Sequence, residues 1–460
     1  MMTRNEYEKS IKEVQNEILL LDKDVTKSSK VDGHEFRSKY SGKKRLNLSA
    51  FNQILEINET ERWVDVGGMI KYDDLAKYMI YQRNAAFLPV IVPELLSITV
   101  GGAISGVALE TSSFKHGFVH DSCLDMDILT SDGKLIYVSP QENSDLFYGI
   151  PNSYGTLGYI LRAKMKIMPS TPYVQVRHTT FNNIPEALRA FEKESNELET
   201  KDYLEGIVFK PNKIHFLTGT FVPSLPSGHE LKDFNLLKPF YKSIEDGDIQ
   251  PVDYLDVYCY LSRWDVDGFW GTENTIISNS TVRYYFRNYL KTEYFLTLTR
   301  NSWFQYVSGL FIPEANPPPT STPETPMHYE KITTDNGIPV ENWQNYLDWY
   351  FQTFPNSSPV WLCSVRSSSP TPLIRMRPNH LYCDFGTFGY AVPSNHTNKH
   401  YYNEILEAKI FELGGTKCFY ALNCDPAIYD SIVDHAAYLE LKKKYDPNNK
   451  FPYLKDKVFV

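Results

Sequence analysis

Between residues 97 and 117 the chain gives up almost all side-chain bulk. Ser97-Ile98-Thr99-Val100-Gly101-Gly102-Ala103-Ile104-Ser105-Gly106 is followed shortly by Glu110-Thr111-Ser112-Ser113-Phe114-Lys115-His116-Gly117, and together they carry four glycines, an alanine and six hydroxyl residues. Such a stretch lets backbone N–H groups come close to a neighbour without Cβ interference. Successive amides can then form a nest for pyrophosphate oxygens, with Ser and Thr hydroxyls as extra donors. The bland alternative is a structural Gly-Gly turn, and the residues alone leave both open. The spacing excludes a Rossmann fingerprint, because G-x-G-x-x-G is absent, and a P-loop, because no Gly-Lys-Ser/Thr closes it. A second stretch, Asn152-Ser153-Tyr154-Gly155-Thr156-Leu157-Gly158-Tyr159-Ile160, sets two glycines just before a strand. It suits a backbone pressed against a flat group, or an ordinary turn.

A chain of 460 residues exceeds one core. At about 150 residues per domain it predicts two or three lobes. With 42% hydrophobic and 22% charged residues it is an ordered globular protein. Its 32 Tyr, 26 Phe and 7 Trp fill cores or line a pocket for a flat, apolar ligand. A net charge of −9 without a long basic tract argues against nucleic acid as a partner. Cys123, Cys259, Cys363, Cys383, Cys418 and Cys424 include no CxxC pair, so neither a disulfide framework nor zinc is expected, and no metal at all. The polar residues 1–30 contain no signal-peptide core, and no stretch reaches the roughly 18 apolar residues of a membrane span. A cytoplasmic protein is the expectation, with peripheral membrane contact left open.

Patterning predicts helices over 4–22 and 72–82, and short strands over 45–48, 53–57 and 62–66. Ala86 to Val92 is a strand candidate that stops at Pro93. Ser131-Asp132-Gly133 turns a hairpin between 126–130 and 134–138, and 157–167 is a further strand. From Tyr173 the rhythm becomes strand (173–181), helix (184–198) and one strand over 206–218, an α+β lobe. The proline-rich 313–326 reads as a surface loop. The end reads strand (380–385), helix (401–413), strand (417–422), then helices from about 428 and through 439–445.

Leu88-Pro89-Val90-Ile91-Val92-Pro93-Glu94-Leu95, Ile98-Thr99-Val100-Gly101-Gly102, the run Glu110 to Gly117, Glu142-Asn143-Ser144-Asp145-Leu146-Phe147 and Gly155-Thr156-Leu157-Gly158 form an ordered series. With it, Leu88 to Pro172 closely resembles the FAD-binding domain of the Δ24-sterol reductases, the seladin/DIMINUTO group of the vanillyl-alcohol-oxidase or PCMH-type FAD-binding family. Fainter similarity covers 254–270, Pro359-Val360-Trp361-Leu362-Cys363, Leu381-Tyr382 with Gly386, and Lys444 to Pro452. The resemblance implies an α+β, two-lobe fold. A PCMH-type FAD-binding domain of two small α/β subdomains would span 1–172, the first shortened to about 1–66. A substrate or cap domain would span 173–375 and cover the isoalloxazine ring, and 376–460 would complete the cap and return to the FAD lobe. It implies FAD along the stretch holding Gly101, Gly102, Ala103, Ser105 and Gly106 and along Ser112, Ser113, His116 and Gly117, joined by Pro93, Thr99 and Val100. Gly155, Thr156, Gly158, Tyr159 and Ile160 would lie beside the adenosine or pyrophosphate. Wider members of the superfamily carry a flavin-anchoring His in an earlier glycine-rich loop; here that region offers only Gly33-His34 and Gly42, so non-covalent FAD is expected. The family's hydrophobic N-terminal anchor has no counterpart in this sequence.

Alkene reduction needs a hydride and a proton delivered to the substrate. Tyr254, Tyr258, Tyr382 and Tyr420 are candidate phenol donors, each with a core or pocket-wall role as the alternative. Arg263 and Asp265 flank Trp264 and either orient a polar substrate group or form a salt bridge. Tyr254, Arg263, Tyr382 and Tyr420 form the catalytic set carried forward. His116 would hydrogen-bond flavin or backbone, and Asn423 and Cys424 end a strand near the presumed flavin. Three functions compete: an NADPH-fed reductase of a C=C bond in a sterol or similar apolar polycycle, an FAD-dependent oxidase or dehydrogenase of an alcohol, sugar or lactone, and a flavin-fold scaffold without catalysis.

Overall fold

The structure is a computed structural model that describes residues 4–28, 44–234, 239–265, 269–270, 279–286, 328–355, 357, 359–394, 396–398, 400–420 and 423–459. His34, Gly33, Gly42 and the proline-rich 313–326 lie outside the described residues. Two compact units share the chain. The first holds 1–171, 365–380 and 418–460, and the second 172–364 and 381–417. After residue 172 the chain crosses between them three times, after residues 364, 380 and 417.

In the first unit, helix α1 (Arg4–Leu20) buries Val14 and Ile18 and half-buries Tyr7 and Ile11, a one-sided stripe at helical spacing. Strands β1 (Val25–Ser28) and β2 (Lys44–Asn47) pair in parallel beside it. Strands β3 (Ile54–Asn58), β4 (Trp63–Gly67), β5 (Phe87–Pro89), β6 (Cys123–Leu129), β7 (Leu135–Val138) and β8 (Tyr159–Pro169) form one antiparallel sheet, ordered β3-β4-β8-β6-β7 with β5 also on β8. Alternation on β8 explains its role as the hub. Leu161, Ala163, Met165 and Ile167 are buried, while Arg162 on the opposite side bonds Asp65 of β4 at 2.8 Å and Asp125 and Asp127 of β6 at 2.7 and 2.8 Å. Short helices α2 (Tyr72–Lys77), α3 (Val100–Ser105), α4 (Ser113–His116) and α5 (Ser144–Gly149) lie in the connections. The helix expected over 72–82 changes to a π turn at Tyr78–Gln82, and Asn84 and Ala85 then take left-handed φ of 56° and 53° that reverse the chain.

In the second unit, β9 (Tyr173–Phe181), helix α6 (Ile184–Asn196), β10 (Tyr203–Lys210) and β11 (Lys213–Val222) come first. The single strand expected over 206–218 is a hairpin, since Pro211 and Asn212 turn inside a nearly continuous apolar run. Helix α7 (Phe240–Glu245), β12 (Val252–Asp256), α8 (Val257–Ser262), α9 (Ser280–Phe286), β13 (His328–Thr334), β14 (Asn336–Pro339), α10 (Trp343–Thr353), β15 (Val360–Val365), β16 (Tyr382–Ser394), α11 (Tyr401–Glu412) and β17 (Thr416–Lys417) follow. The strand expected over 417–422 is cut to β17, because the chain turns at Phe419-Tyr420. The sheet runs β12-β9-β11-β10-β15-β16-β14-β17, with β13 on β16.

Register separates its two faces. Phe216 meets Phe191 of α6 at 5.0 Å, Phe191 meets Trp343 of α10 at 6.0 Å, and Phe385 meets Tyr346 of α10 at 4.9 Å, so helices cover this side. Glu205 pairs with Leu217, Leu217 with His178, and Ile207 with Trp361, which puts Glu205, His178 and Trp361 on the other side. The chain then returns to the first unit with α12 (Pro426–Ile432), α13 (His435–Tyr445) and α14 (Leu454–Val458).

Candidate active site

The small-residue stretch of the first unit folds around a second glycine pair, Gly67-Gly68, at the end of β4. A Cβ on Gly68 would fall 2.1 Å from Ile160 O, and one on Gly67 would fall 2.2 Å from Phe51 O. Backbone therefore packs directly on backbone here. Gly101 continues the contact: its N–H donates to Gly68 O at 2.8 Å, and a Cβ there would sit 2.8 Å from the same oxygen. Gly102 points elsewhere. Thr99 Oγ1, at 2.9 Å, is all that a Cβ on Gly102 would meet among the described residues beyond its own helix and chain neighbours.

This geometry corrects the picture of an open amide nest. The stretch is a short helix, α3, capped by Thr99, whose hydroxyl accepts from Gly102 N–H at 3.2 Å. Val100 N–H donates to Ile70 O at 2.9 Å and Ala103 N–H to Thr99 O at 2.8 Å, so the first amides are all spent inside the chain. What the stretch offers a ligand is the bare surface at Gly102.

Several polar atoms of the first unit are buried: Thr111 Oγ1, Ser153 Oγ, Asn152 Oδ1 and both ring nitrogens of His120 have no hydrogen-bond partner among the described residues. Buried polar atoms are almost always paired, so each of these is a group that a bound ligand could satisfy. The 152–156 turn reaches α3 through Tyr154 N–H, which donates to Ser105 O at 3.2 Å. Val107, Asn152 and Tyr154 all hold left-handed φ, 52°, 61° and 51°, and for β-branched Val107 this is costly. Orphaned hydroxyls, local strain and an uncovered glycine fit the polar chain and flat rings of FAD.

Ser112, Ser113, His116 and Gly117 flank this region. Ser112 Oγ donates to Val90 O at 2.7 Å, and Ser113 Oγ accepts from Glu110 N–H at 2.8 Å, so both hydroxyls hold the fold. His116 is half-buried, and burial, helped by the charges of Lys115 and Lys166, lowers its pKa to about 4, leaving a neutral imidazole at physiological pH. Gly117 has φ +78°, and a Cβ there would press on Asp121 Oδ2 and Arg366 O at 2.3 and 2.9 Å. Asp121 accepts from Phe118 N–H at 2.8 Å and from Ser367 Oγ at 3.0 Å, which ties in the returning segment 365–380. Pro93 and Ile160 are buried in the same unit.

Gly155 and Gly158 are needed for packing. Gly155 has φ +76°, with the Tyr159 ring 2.8 Å from its Cβ position, and a Cβ on Gly158 would meet Ile128 Cγ2 at 2.6 Å. Thr156 carries a long-range tie that the sequence did not reveal. Lys442 of α13 donates to Thr156 O at 2.9 Å, to Asp446 Oδ2 at 2.6 Å, to Phe451 O at 2.8 Å and to Pro452 O at 3.2 Å. One buried ammonium thus fastens the closing segment to the Gly155–Gly158 turn.

The catalytic set does not converge. Tyr254 pairs with Gln175 and accepts from its Nε2 at 2.7 Å, on the side of the sheet opposite Glu205. Arg263 bonds Glu205 rather than Asp265, through Nε at 3.0 Å and Nη2 at 2.9 Å. Trp264 and Trp361 add indole N–H bonds to the same carboxylate at 2.9 and 3.0 Å, which leaves Arg263 locked in a structural cluster. Tyr382 is buried on β16, Tyr258 is half-buried on α8, and Tyr420 belongs to the first unit, half-buried in a turn. Asn423 Nδ2 donates to Phe419 O at 3.0 Å and Val458 O at 2.9 Å, a structural clasp beside half-buried Cys424. Sequence reading missed Gly67-Gly68, Asp121, Glu205, Lys442 and the carboxyl pair Asp335–Asp384; only Gly67-Gly68, at a strand end, carried a local signal.

Residues 23–139 match the FAD binding domain family. The Delta(24)-sterol reductase of Homo sapiens is 26% identical over 417 residues, covering 88% of this chain and 76% of its own. The Caenorhabditis elegans homolog dhcr-24 is 23% identical over 429 residues, with 88% and 77% covered. Cytokinin dehydrogenase 2 of Arabidopsis thaliana is 25% identical over 198 residues, 42% of this chain and 38% of its own. Among the described residues no helix is long and apolar enough to cross a membrane. The matched FAD binding domain and the similarity along most of the chain make this protein an FAD-linked oxidoreductase, distantly similar to the Delta(24)-sterol reductases.

Proposed function

We propose that the protein reduces a C=C bond in a sterol-like, apolar substrate, with NADPH as the source of electrons. The observation that carries this reading is similarity to Delta(24)-sterol reductases along 88% of the chain, the second unit included. FAD, bound non-covalently, supplies hydride transfer between NADPH and substrate. In the first unit, Gly102 leaves room for it, Thr111, Asn152 and Ser153 offer polar contacts, and neutral His116 offers a hydrogen bond without a charge.

In the second unit Phe269 stacks on Phe388 at 4.2 Å, meets Trp361 at 5.4 Å and stacks on Trp264 at 5.0 Å, and all four rings are packed into its core. The similarity to cytokinin dehydrogenase 2 favours a second reading, oxidation of a substrate by the same flavin.

Anaerobic mixing separates the two. Under the first reading NADPH bleaches the flavin absorbance, and a Δ24-unsaturated sterol then restores it with formation of the saturated product. An unbleached flavin contradicts NADPH as donor, and bleaching without reoxidation by the sterol contradicts the substrate class.

A further inference from the structure

Two imidazoles meet inside the second unit, near the edge of its sheet. His178 of β9 and His215 of β11 have buried side chains, and His178 Nδ1 lies 2.8 Å from His215 Nε2. At the far side of the first ring, His178 Nε2 lies 3.2 Å from Asp253 Oδ2 of β12. Register explains the line. His178 stands opposite Leu217 and His215 opposite Thr180, so the two rings are diagonal neighbours on one face. Asp253 stands opposite Val176, one step along that face. The three side chains thus tie β12, β9 and β11 together, and β12 is the edge strand.

Counting protons shows what this line tolerates. Two ring nitrogens 2.8 Å apart hold a single proton between them, one donating and the other accepting. A neutral pair meets that condition. So does a pair with one cation, because a His178 imidazolium donates to His215 while its other N–H faces Asp253. Two imidazoliums do not meet it. Every ring nitrogen then carries hydrogen, two N–H groups point at each other, and two like charges lie buried side by side. We propose that the Asp253–His178–His215 line is an acid-sensitive lock on the edge of this sheet, holding β12 and β9 in place while the rings share one proton and opening when a second arrives. The lock is independent of the flavin and of the substrate.

The surrounding charges favour this behaviour. Burial, then the charge of His178, then that of Lys213 lower the pKa of His215 from 6.5 to about 3. Lys213, at the start of β11, donates to Glu245 O at 2.6 Å at the end of α7. Glu205 of β10, two strands from His178 on the same face, is spent on Arg263. Asp248 lies 3.8 Å from Lys232, in the loop whose Pro251 O accepts from His178 N–H. Asp253 Oδ2 also accepts from Gln250 N–H at 3.4 Å. Arg177, next to His178 on β9, points to the opposite face, as does Tyr254 beside Asp253. A base held below its ordinary value takes its proton first in the opened chain. The lock's contribution is therefore full above about 6.5 and is lost as pH falls toward about 3.

The test is hydrogen exchange read by mass spectrometry on the FAD-loaded full chain, with rates corrected for the intrinsic effect of pH. From about pH 7.5 to about pH 5, wild-type exchange in β12 and β9 should accelerate at least about tenfold relative to β15 in the middle of the sheet. His215→Gln should abolish the acceleration, because the amide still bonds His178 and takes no proton. His178→Gln should abolish it too, and serves if the first variant does not fold. Asp253→Asn should instead move the acceleration to higher pH, since a His178 cation then lacks its counter-charge. An edge that exchanges in step with β15 at both pH values, or an acceleration that persists in a folded His215→Gln or His178→Gln variant, overturns the proposal.

Discussion

Gly102→Val yields a folded protein that has lost most of its flavin. The substitution displaces one protein atom, Thr99 Oγ1, and the hydroxyl can rotate away. The fold then loses a helix cap, worth about 0.5–2 kcal/mol. The two new methyls occupy the surface that the cofactor needs, and a close contact with a rigid ligand has no such escape. Gly101→Ala makes the contrast. Its Cβ meets the backbone oxygen of Gly68 at 2.8 Å, so β4 and α3 must separate, and the loss appears in stability, on the order of 1–3 kcal/mol. Flavin content by absorbance and melting by circular dichroism, measured on both variants, check the pair. Full flavin occupancy in Gly102→Val would remove that residue from the cofactor surface.

Lys442→Met is the most damaging single change expected in the first unit. Burial lowers the pKa of this lysine while the Asp446 charge opposes the shift, and the pair stands with side chains 2% and 0% exposed. Removing the ammonium strands the Asp446 carboxylate and leaves the carbonyls of Thr156, Phe451 and Pro452 without their donor. Breaking a buried pair in this way costs about 3–5 kcal/mol. The melting temperature of the first unit should fall by on the order of 10 °C. The double variant Lys442→Met with Asp446→Asn should recover part of the loss, because no charge is then left uncompensated. A melting curve unchanged in the single variant would show that the closing segment is held by other contacts.

Features written in local pattern were legible before the structure. The strand over 173–181, the Asp132-Gly133 turn and the N-terminal helix depend only on neighbours in sequence, so they survived folding. The small-residue stretch was visible for the same reason, but its use was not. Gly101 is small because Gly68 lies against it, a contact between segments that no periodicity connects. The hairpin at Pro211-Asn212 was hidden because apolar residues run up to both sides of the turn. Arg263 was expected to answer to Asp265 or to substrate, yet its partner Glu205 comes from another strand, and no local rule selects it. Residues 365–380 likewise join the first unit through contacts distant in sequence: Ser367 reaches Asp121 and Leu373 O accepts from Asn152. Asp335 and Asp384 look like ordinary surface acids in sequence, and only the β14–β16 register brings them together.

The most direct measurement is a visible spectrum of the purified protein, taken before and after acid precipitation. The proposed reading predicts a yellow protein with the two absorption bands of oxidised flavin, released wholly into the supernatant by acid. A colourless protein that gains no flavin absorbance on reconstitution with FAD contradicts the account at its root.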